Sequence, residues 1–415
     1  MDKFENIGFI PCDILLPKTE DFSKWSVVAC DQYTSQPDYW DKVKEYVGSE
    51  KSTLGMIYPE IYLNENDGDK RIENINKTMK SYLDGEDFNC LSNSFVYVQR
   101  TVAGGKVRHG LVGAIDLEKY DYEKDSKAHV RATEGTVKER IPPRVKIRKN
   151  APLELPHIML LIDDPDDLVF GAVEKAEKTA VYDFDLMMDS GNIKGYKVAP
   201  SDEIADAFLT LKNVQDKENT LLFAVGDGNH SLATAKECWN LIKANLSEND
   251  ARNHPARYAL VEVVNIHDSS LEFEPIHRIV FNADYKIMEK ELFEFYPTAT
   301  YEKSDSQNFD VVVDGVSKTI YIKEPEFELA VGSLQNFLDA FVKKHPEAEI
   351  DYIHGDDVTK DLSKKENSVG FILSSMKKGD LFKSVRSDGA LPRKTFSMGE
   401  AFEKRFYLEC RKISK

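Results

Sequence analysis

The segment that most constrains this chain is Thr220-Leu221-Leu222-Phe223-Ala224-Val225-Gly226, followed by Asp227-Gly228-Asn229-His230-Ser231. A short apolar run bounded by glycine predicts a buried strand, and Leu232, Ala235, Trp239 and Ile242 behind it recur at helical spacing. A buried strand that turns through glycines straight into an amphipathic helix needs a sheet with helices packed on it. The rest of the chain agrees. Helices are predicted over 36–47, 69–83, 202–212 and 334–343, and strands over 94–102, 106–117, 157–162, 258–266 and 369–374. Glycine-bearing turns predict hairpins at 180–187/193–198 and 310–313/317–322, and a final Arg/Lys-rich tail follows. The expected class is α/β, or mixed α+β. With 415 residues, three regions are expected: 1–125, a core over 126–280, and 281–415.

Charge excludes several functions. The formal net charge is −17, which repels a phosphate backbone or an anionic membrane surface and disfavours DNA as a partner. No segment approaches the ~18 consecutive apolar residues of a membrane span. The opening residues carry no basic patch followed by an apolar run, and the five cysteines form no Cys-x-x-Cys pair, so a cytoplasmic protein is expected. His254, His267 and His277 lack ligand spacing, so no metal cage of the chain's own is expected. The oligomeric state is not legible.

Three features carry chemistry. In the first, Gly226 and Gly228 let the backbone turn tightly, and the free N–H groups of Asn229 and Ser231 at the start of the following helix suit an anion. Asp227 and His230 then stand at a strand's carboxyl end, where α/β sheets place ligands, and His230 suits proton transfer near neutral pH. The alternative is an ordinary turn with Asp227 capping the helix. The pattern is neither a Walker loop nor a Gly-x-Gly-x-x-Gly fingerprint.

In the second, residues 127–149 hold eight Lys or Arg, among them Arg131, Lys138, Arg140, Arg144 and Arg148, against only Glu134 and Glu139. Arginine suits bidentate phosphate contact, and Pro142-Pro143 stiffens the segment; the alternative is a solvated charged loop.

The third is a scatter of polar clusters. Asp31 follows the apolar Val27, Val28 and Ala29, and is placed either as a general base toward a substrate hydroxyl or as a cap for the helix near Gln36. His277 with Arg278, and Arg393 with Lys394, are further candidates for phosphate contact. Their alternatives are a structural strand end and salt bridges to Glu400 and Glu403. There is no Gly-x-Ser-x-Gly elbow, and no cysteine has basic neighbours apart from Cys410 beside Arg411, so covalent catalysis is not expected.

Taken together, Cys30-Asp31-Gln32-Tyr33-Thr34-Ser35-Gln36, Arg131-Ala132-Thr133-Glu134-Gly135-Thr136, Glu139-Arg140-Ile141-Pro142-Pro143-Arg144, Pro156-His157-Ile158-Met159, Gly226-Asp227-Gly228-Asn229-His230-Ser231, Pro275-Ile276-His277-Arg278 and Leu391-Pro392-Arg393-Lys394 resemble the bacterial domain-of-unknown-function 1015 family along nearly the whole chain. The glycine turn of that family, usually Asp-Gly-His-His-Arg, is similar to the turn of the ParB/sulfiredoxin-like fold, whose members include free-serine kinases. The resemblance implies a ParB/sulfiredoxin-like core with elaborated N-terminal and C-terminal α/β regions, and makes Asp227, Gly228 and His230 the phosphate-handling turn. Here Asn229 stands for the first His and Ser231 for the Arg, which removes one bidentate phosphate contact. Asp31 is the candidate for the kinases' catalytic glutamate.

The expected activity is a phosphotransferase that moves phosphate from a nucleotide or pyrophosphate, with Mg²⁺, to a small serine-like hydroxyl. The alternatives are a phosphohydrolase of phosphoserine or a similar metabolite, and a non-catalytic sensor of a small phosphorylated molecule.

Overall fold

The computed structural model describes residues 2–415 apart from Asn64 and Val137. The chain forms two compact units, Met1–Leu271 with Glu400–Lys415, and Glu272–Gly399. This division differs from the three expected regions. The expected boundary after residue 125 falls between two neighbouring strands of one sheet, and the last sixteen or so residues return to the first unit.

The first unit is built on an eleven-stranded mixed sheet. Its strands are β1 (Phe9–Ile10), β2 (Cys12–Pro17), β3 (Phe88–Thr101), β4 (Val107–Asp116), β5 (Tyr120–Asp121), β6 (Val130–Ala132), β7 (Met159–Ile162), β8 (Lys178–Asp185), β9 (Asn192–Val198), β10 (Phe223–Asp227) and β11 (Tyr258–Asn265). The spatial order is β8-β9-β3-β4-β11-β7-β10-β6-β5, with β1 on β4 and β2 on β3. β10 lies between β7, antiparallel, and β6, parallel.

Alternation along the strands sends side chains to two different cores. Phe95 and Tyr97 of β3 join one apolar cluster, and Val96 and Val98 join the other. Both faces are therefore covered, so β7 and β10 read as continuous apolar runs rather than alternating ones. The helices relevant below are α1 (Pro37–Val47), α2 (Ile141–Arg148) and α3 (Asn229–Lys243). The end of the basic segment is thus a helix rather than a loop, while Arg131 lies in β6. Pro142 and Pro143 fall in its first turn, where the missing N–H costs nothing, and α2 packs along α3.

Most of the expected basic tail, Arg405 to Arg411, is interior. Phe406–Tyr407 pairs with Val27–Val28, Arg411–Lys412 pairs with Leu153–Glu154, and Leu15 and Cys410 exchange backbone hydrogen bonds of 2.8 and 2.9 Å. Arg405 is buried between Glu262 and Glu409, and Arg411 donates to Glu154 at 2.6 Å. Paired with these carboxylates, although the buried Arg405 Nε finds no partner among the described residues, the arginines tie the returning segment to the sheet.

The second unit has a seven-stranded sheet, built on Phe273–Phe281, with helices Tyr285–Phe295 and Ala330–Lys344 packed on its core.

Candidate functional site

Phe223, Ala224 and Val225 are fully buried, so the chain reaches the carboxyl end of β10 inside the sheet and must turn at once. Gly228 supplies the turn at φ +79°, and a Cβ there would stand 3.1 Å from the Ile158 Cα. Only glycine fits both demands. α3 then starts at Asn229, and its N-cap, Gly228, brings no side chain to the first N–H groups. The Asn229 side chain turns inward, accepting from the Thr133 N–H at 3.2 Å, while the Thr133 hydroxyl donates to the Val225 carbonyl at 2.6 Å. These bonds tie the segment after β6 to the turn, and they make Asn229 a structural residue.

Asp227 does not cap the helix through its side chain. Its carboxylate accepts from the Gly228 N–H at 2.8 Å and pairs with Lys404 Nζ at 3.1 Å. Burial pushes its pKa up, but Lys404, His157 and the Gly228 N–H outweigh burial and hold it below the ordinary carboxylate value. His230 is held neutral, its pKa lowered to about 4 by burial and by the charges of Arg144 and Arg140, against the opposing charge of Asp31. Those four side chains share one neighbourhood.

His157, buried just before β7, completes the cluster. Its Nε2 lies 3.3 Å from Ser231 Oγ and 3.7 Å from Asp31 Oδ2, and its Nδ1 lies 2.7 Å from the Tyr407 hydroxyl. Tyr407 in turn donates to Cys30 Sγ at 3.1 Å, and burial pushes the Cys30 thiol up to about 12. Asp31 does not cap α1, whose N-cap Gln36 has no side-chain bond to the helix. Arg144 is anchored by Glu60 and by the Arg140 carbonyl.

The structure therefore gathers Asp31, Gly226, Asp227, Gly228, His230, Ser231, Arg140 and Arg144 around the start of α3. Other candidates are spent elsewhere. Arg131 is 3 % exposed and donates to the carbonyls of Ala128 and Thr220, so it is an internal brace. Lys138 makes a surface pair with Glu123, and Arg148 pairs with the buried Glu154. His277, Arg278, Arg393 and Lys394 belong to the second unit. Arg278 is fully buried and donates to Gln335 and to the carbonyls of Arg393 and Lys394; His277 pairs with Asp356 at 2.8 Å. His277 and Arg278 lie inside the strand Phe273–Phe281 rather than at its end, and shape that unit's interior.

Sequence reasoning missed His157, Lys404 and Tyr407 as site residues. Pro156-His157 ahead of a buried strand was a usable signal, but nothing local marks Lys404 or Tyr407. Among the described residues no group of three or more His, Cys, Asp or Glu side chains is placed to hold a metal. A separate open cleft of 670 Å³ is lined by Tyr33, Gln36, Tyr39, Lys42, Met188 and Phe402 among others, none of them in the cluster at the turn. No described helix is long and apolar enough to cross a membrane.

Comparison with known proteins gives a family but no activity. No curated protein matches the chain. Among solved structures, a mutant free serine kinase in complex with AMP is similar at 12% identity and a TM-score of 0.41, over 75% of this chain and 94% of that one. A conserved hypothetical protein from Pyrococcus furiosus is similar at 12% identity and a TM-score of 0.37, over 74% and 96%. SbnI from Staphylococcus aureus, truncated at its C-terminus, is similar at 9% and 0.38, over 71% and 85%. These likenesses are distant and assign no residue. The protein family of unknown function DUF1015 matches residues 10–341, which leaves Leu391-Pro392-Arg393-Lys394, Lys404 and Tyr407 outside the matched span. By that match, the chain is a member of the DUF1015 family.

Proposed function

We propose that the cluster at the start of α3 binds a phosphoryl group and transfers it from a nucleotide or pyrophosphate to the hydroxyl of a small, serine-like metabolite. The observation that carries this reading is the convergence of Asp31, His230, Arg140 and Arg144 on the N-terminus of α3, which follows the Gly228 turn, beside the Asp227–Lys404 pair.

Each part has a physical role. The first N–H groups of α3 have no partners within the helix and, with the helix dipole, attract phosphate oxygens. Arg140 and Arg144 add positive charge, and Lys404 stands within reach of the turn. His230 is neutral at pH 7 and acts as a hydrogen-bond donor to phosphate rather than as a cation. Asp31 orients the acceptor hydroxyl and takes its proton as the new bond to phosphorus forms. In this reading the glycine turn serves as it does in ParB/sulfiredoxin-like folds. Asp227 is taken up by Lys404 and the Gly228 N–H, so a Mg²⁺ arriving with the donor would be held chiefly by the donor's phosphate oxygens and water. When bound it would supply charge neutralisation; the residues above position the reacting groups.

The test is a thermal-shift panel of ATP, ADP, pyrophosphate, serine and phosphoserine, with and without Mg²⁺, followed by ³¹P NMR of turnover with any donor that binds. A ligand at ~100 times its dissociation constant adds ~2.7 kcal/mol to the native state. A stabilising donor whose phosphorus signal moves to a phosphomonoester only when serine is added supports the reading. Stabilisation by phosphoserine alone, with release of inorganic phosphate, replaces it with the hydrolase. No stabilisation by any of them rejects it.

A further inference from the structure

Ser231 is the third residue of α3, and its hydroxyl faces His157 Nε2 at 3.3 Å. His157 is 6 % exposed, and its other nitrogen lies 2.7 Å from the Tyr407 hydroxyl. Tyr407 receives the Cys30 N–H at 3.3 Å and donates its own proton to Cys30 Sγ at 3.1 Å. With the tyrosine proton so engaged, His157 Nδ1 carries the hydrogen of that contact and Nε2 presents its lone pair to Ser231. A hydroxyl on a histidine that a third group orients is the geometry of an activated nucleophile, and such contacts are looser before substrate arrives. Asp31, 3.7 Å from Nε2, is placed to stabilise the imidazolium once the proton has moved.

We propose that Ser231 is a covalent nucleophile, phosphorylated during transfer, with His157 as its base and Tyr407 as the residue that positions His157. The assignment of the phosphoryl donor rests on the function proposed above; the nucleophile assignment does not. In the first step, Ser231 Oγ bonds to phosphorus of a phosphoanhydride, the bond to the leaving phosphate breaks, and the serine proton passes to His157 Nε2. The leaving group departs as an oxyanion and needs no proton. The phosphoserine sits at the N-terminus of α3, where its charge meets the helix dipole. His157 keeps that proton, held beside Asp31. In the second step Asp31 takes the proton of the incoming hydroxyl or water as that oxygen attacks phosphorus and later releases it to solvent, and His157 returns its proton to Ser231 Oγ as the phosphoserine bond breaks. This reverses the expectation, from motifs alone, that no covalent catalysis occurs: the serine has no nucleophile-elbow sequence, and its base lies 74 residues away.

The test treats the full-length protein with an alkyl fluorophosphonate, in which serine attack releases fluoride, and locates the adduct by peptide mass spectrometry. The predicted result is modification at Ser231, slowed about 10²-fold in His157→Gln and several-fold in Tyr407→Phe, with thermal melts confirming that both variants fold. Absence of label on Ser231, or labelling at the same rate in His157→Gln, overturns the proposal. Turnover separates it from the donor reading: Ser231 labelled without turnover of ATP or pyrophosphate keeps the nucleophile and removes the donor. Full turnover by Ser231→Ala removes the nucleophile and keeps the phosphotransferase.

Discussion

Lys404 Nζ stands 3.1 Å from Asp227 Oδ2, so a residue near the end of the chain neutralises the carboxylate at the glycine turn. The pair links the returning C-terminal segment to the candidate site. Lys404→Met is expected to destabilise the protein by about 1–3 kcal/mol at pH 7, because it strands a half-buried carboxylate. Asp227 has a native pKa below its unfolded one, so its contribution is present above the ordinary carboxylate range and fades as pH falls through the native value. Urea unfolding of wild type and variant should therefore show a gap at pH 7 that closes as pH falls below the ordinary carboxylate range.

His230 titrates low, near 4, because burial and the charges of Arg144 and Arg140 disfavour its cation. Below pH ~6.5 the unfolded chain binds the proton first, so this histidine costs stability as pH falls from ~6.5 toward 4. His230→Gln is expected to flatten that part of the stability profile. By ¹H–¹⁵N NMR, its ring should titrate near 4 in the free protein and markedly higher with pyrophosphate bound, since an anion favours the imidazolium.

The two arginines of the expected basic cluster that differ most in surroundings should behave differently. Arg131 is buried on backbone carbonyls, whereas Arg140 is exposed and its charge reaches His230. Arg131→Met is expected to lower stability by about 2 kcal/mol, because it leaves buried carbonyls without donors. Arg140→Ala should melt within about 2 °C of wild type while weakening pyrophosphate binding severalfold. Paired melting curves and titrations read both effects.

Gly228→Ala meets two costs at once, a left-handed backbone and a 3.1 Å approach to Ile158. Left-handed backbone alone costs a non-glycine residue roughly 1–2 kcal/mol, so a loss of at least that size is expected on urea unfolding. The N–H groups of α3 shift with the turn, and anion binding should fall with them.

Much of the fold was legible because its signals are local. The buried strand into Gly228, the helix behind it and the hairpin over 180–198 follow from periodicity and turn residues, and the observed elements differ from the expected ones by a few residues. The basic helix α2 was read as a charged segment stiffened by its proline pair, since nothing local shows that the pair falls in a helix's first turn. Charge alone could not separate Arg131 from Arg140: burial decides that, and burial depends on where β6 lies. Likewise, the pairing of Val27–Val28 with Phe406–Tyr407, which carries Lys404 and Tyr407 to the turn, joins segments nearly four hundred residues apart. No pattern within either segment announces the other.

The central claim, that the start of α3 is a phosphate site, is tested most directly by calorimetric titration of pyrophosphate with Mg²⁺ into wild type and into His230→Ala/Arg140→Ala. Saturable binding by wild type, at least tenfold weaker in a double variant that melts normally, is the predicted result. No heat of binding with wild type, or equal affinity in the two proteins, would contradict it.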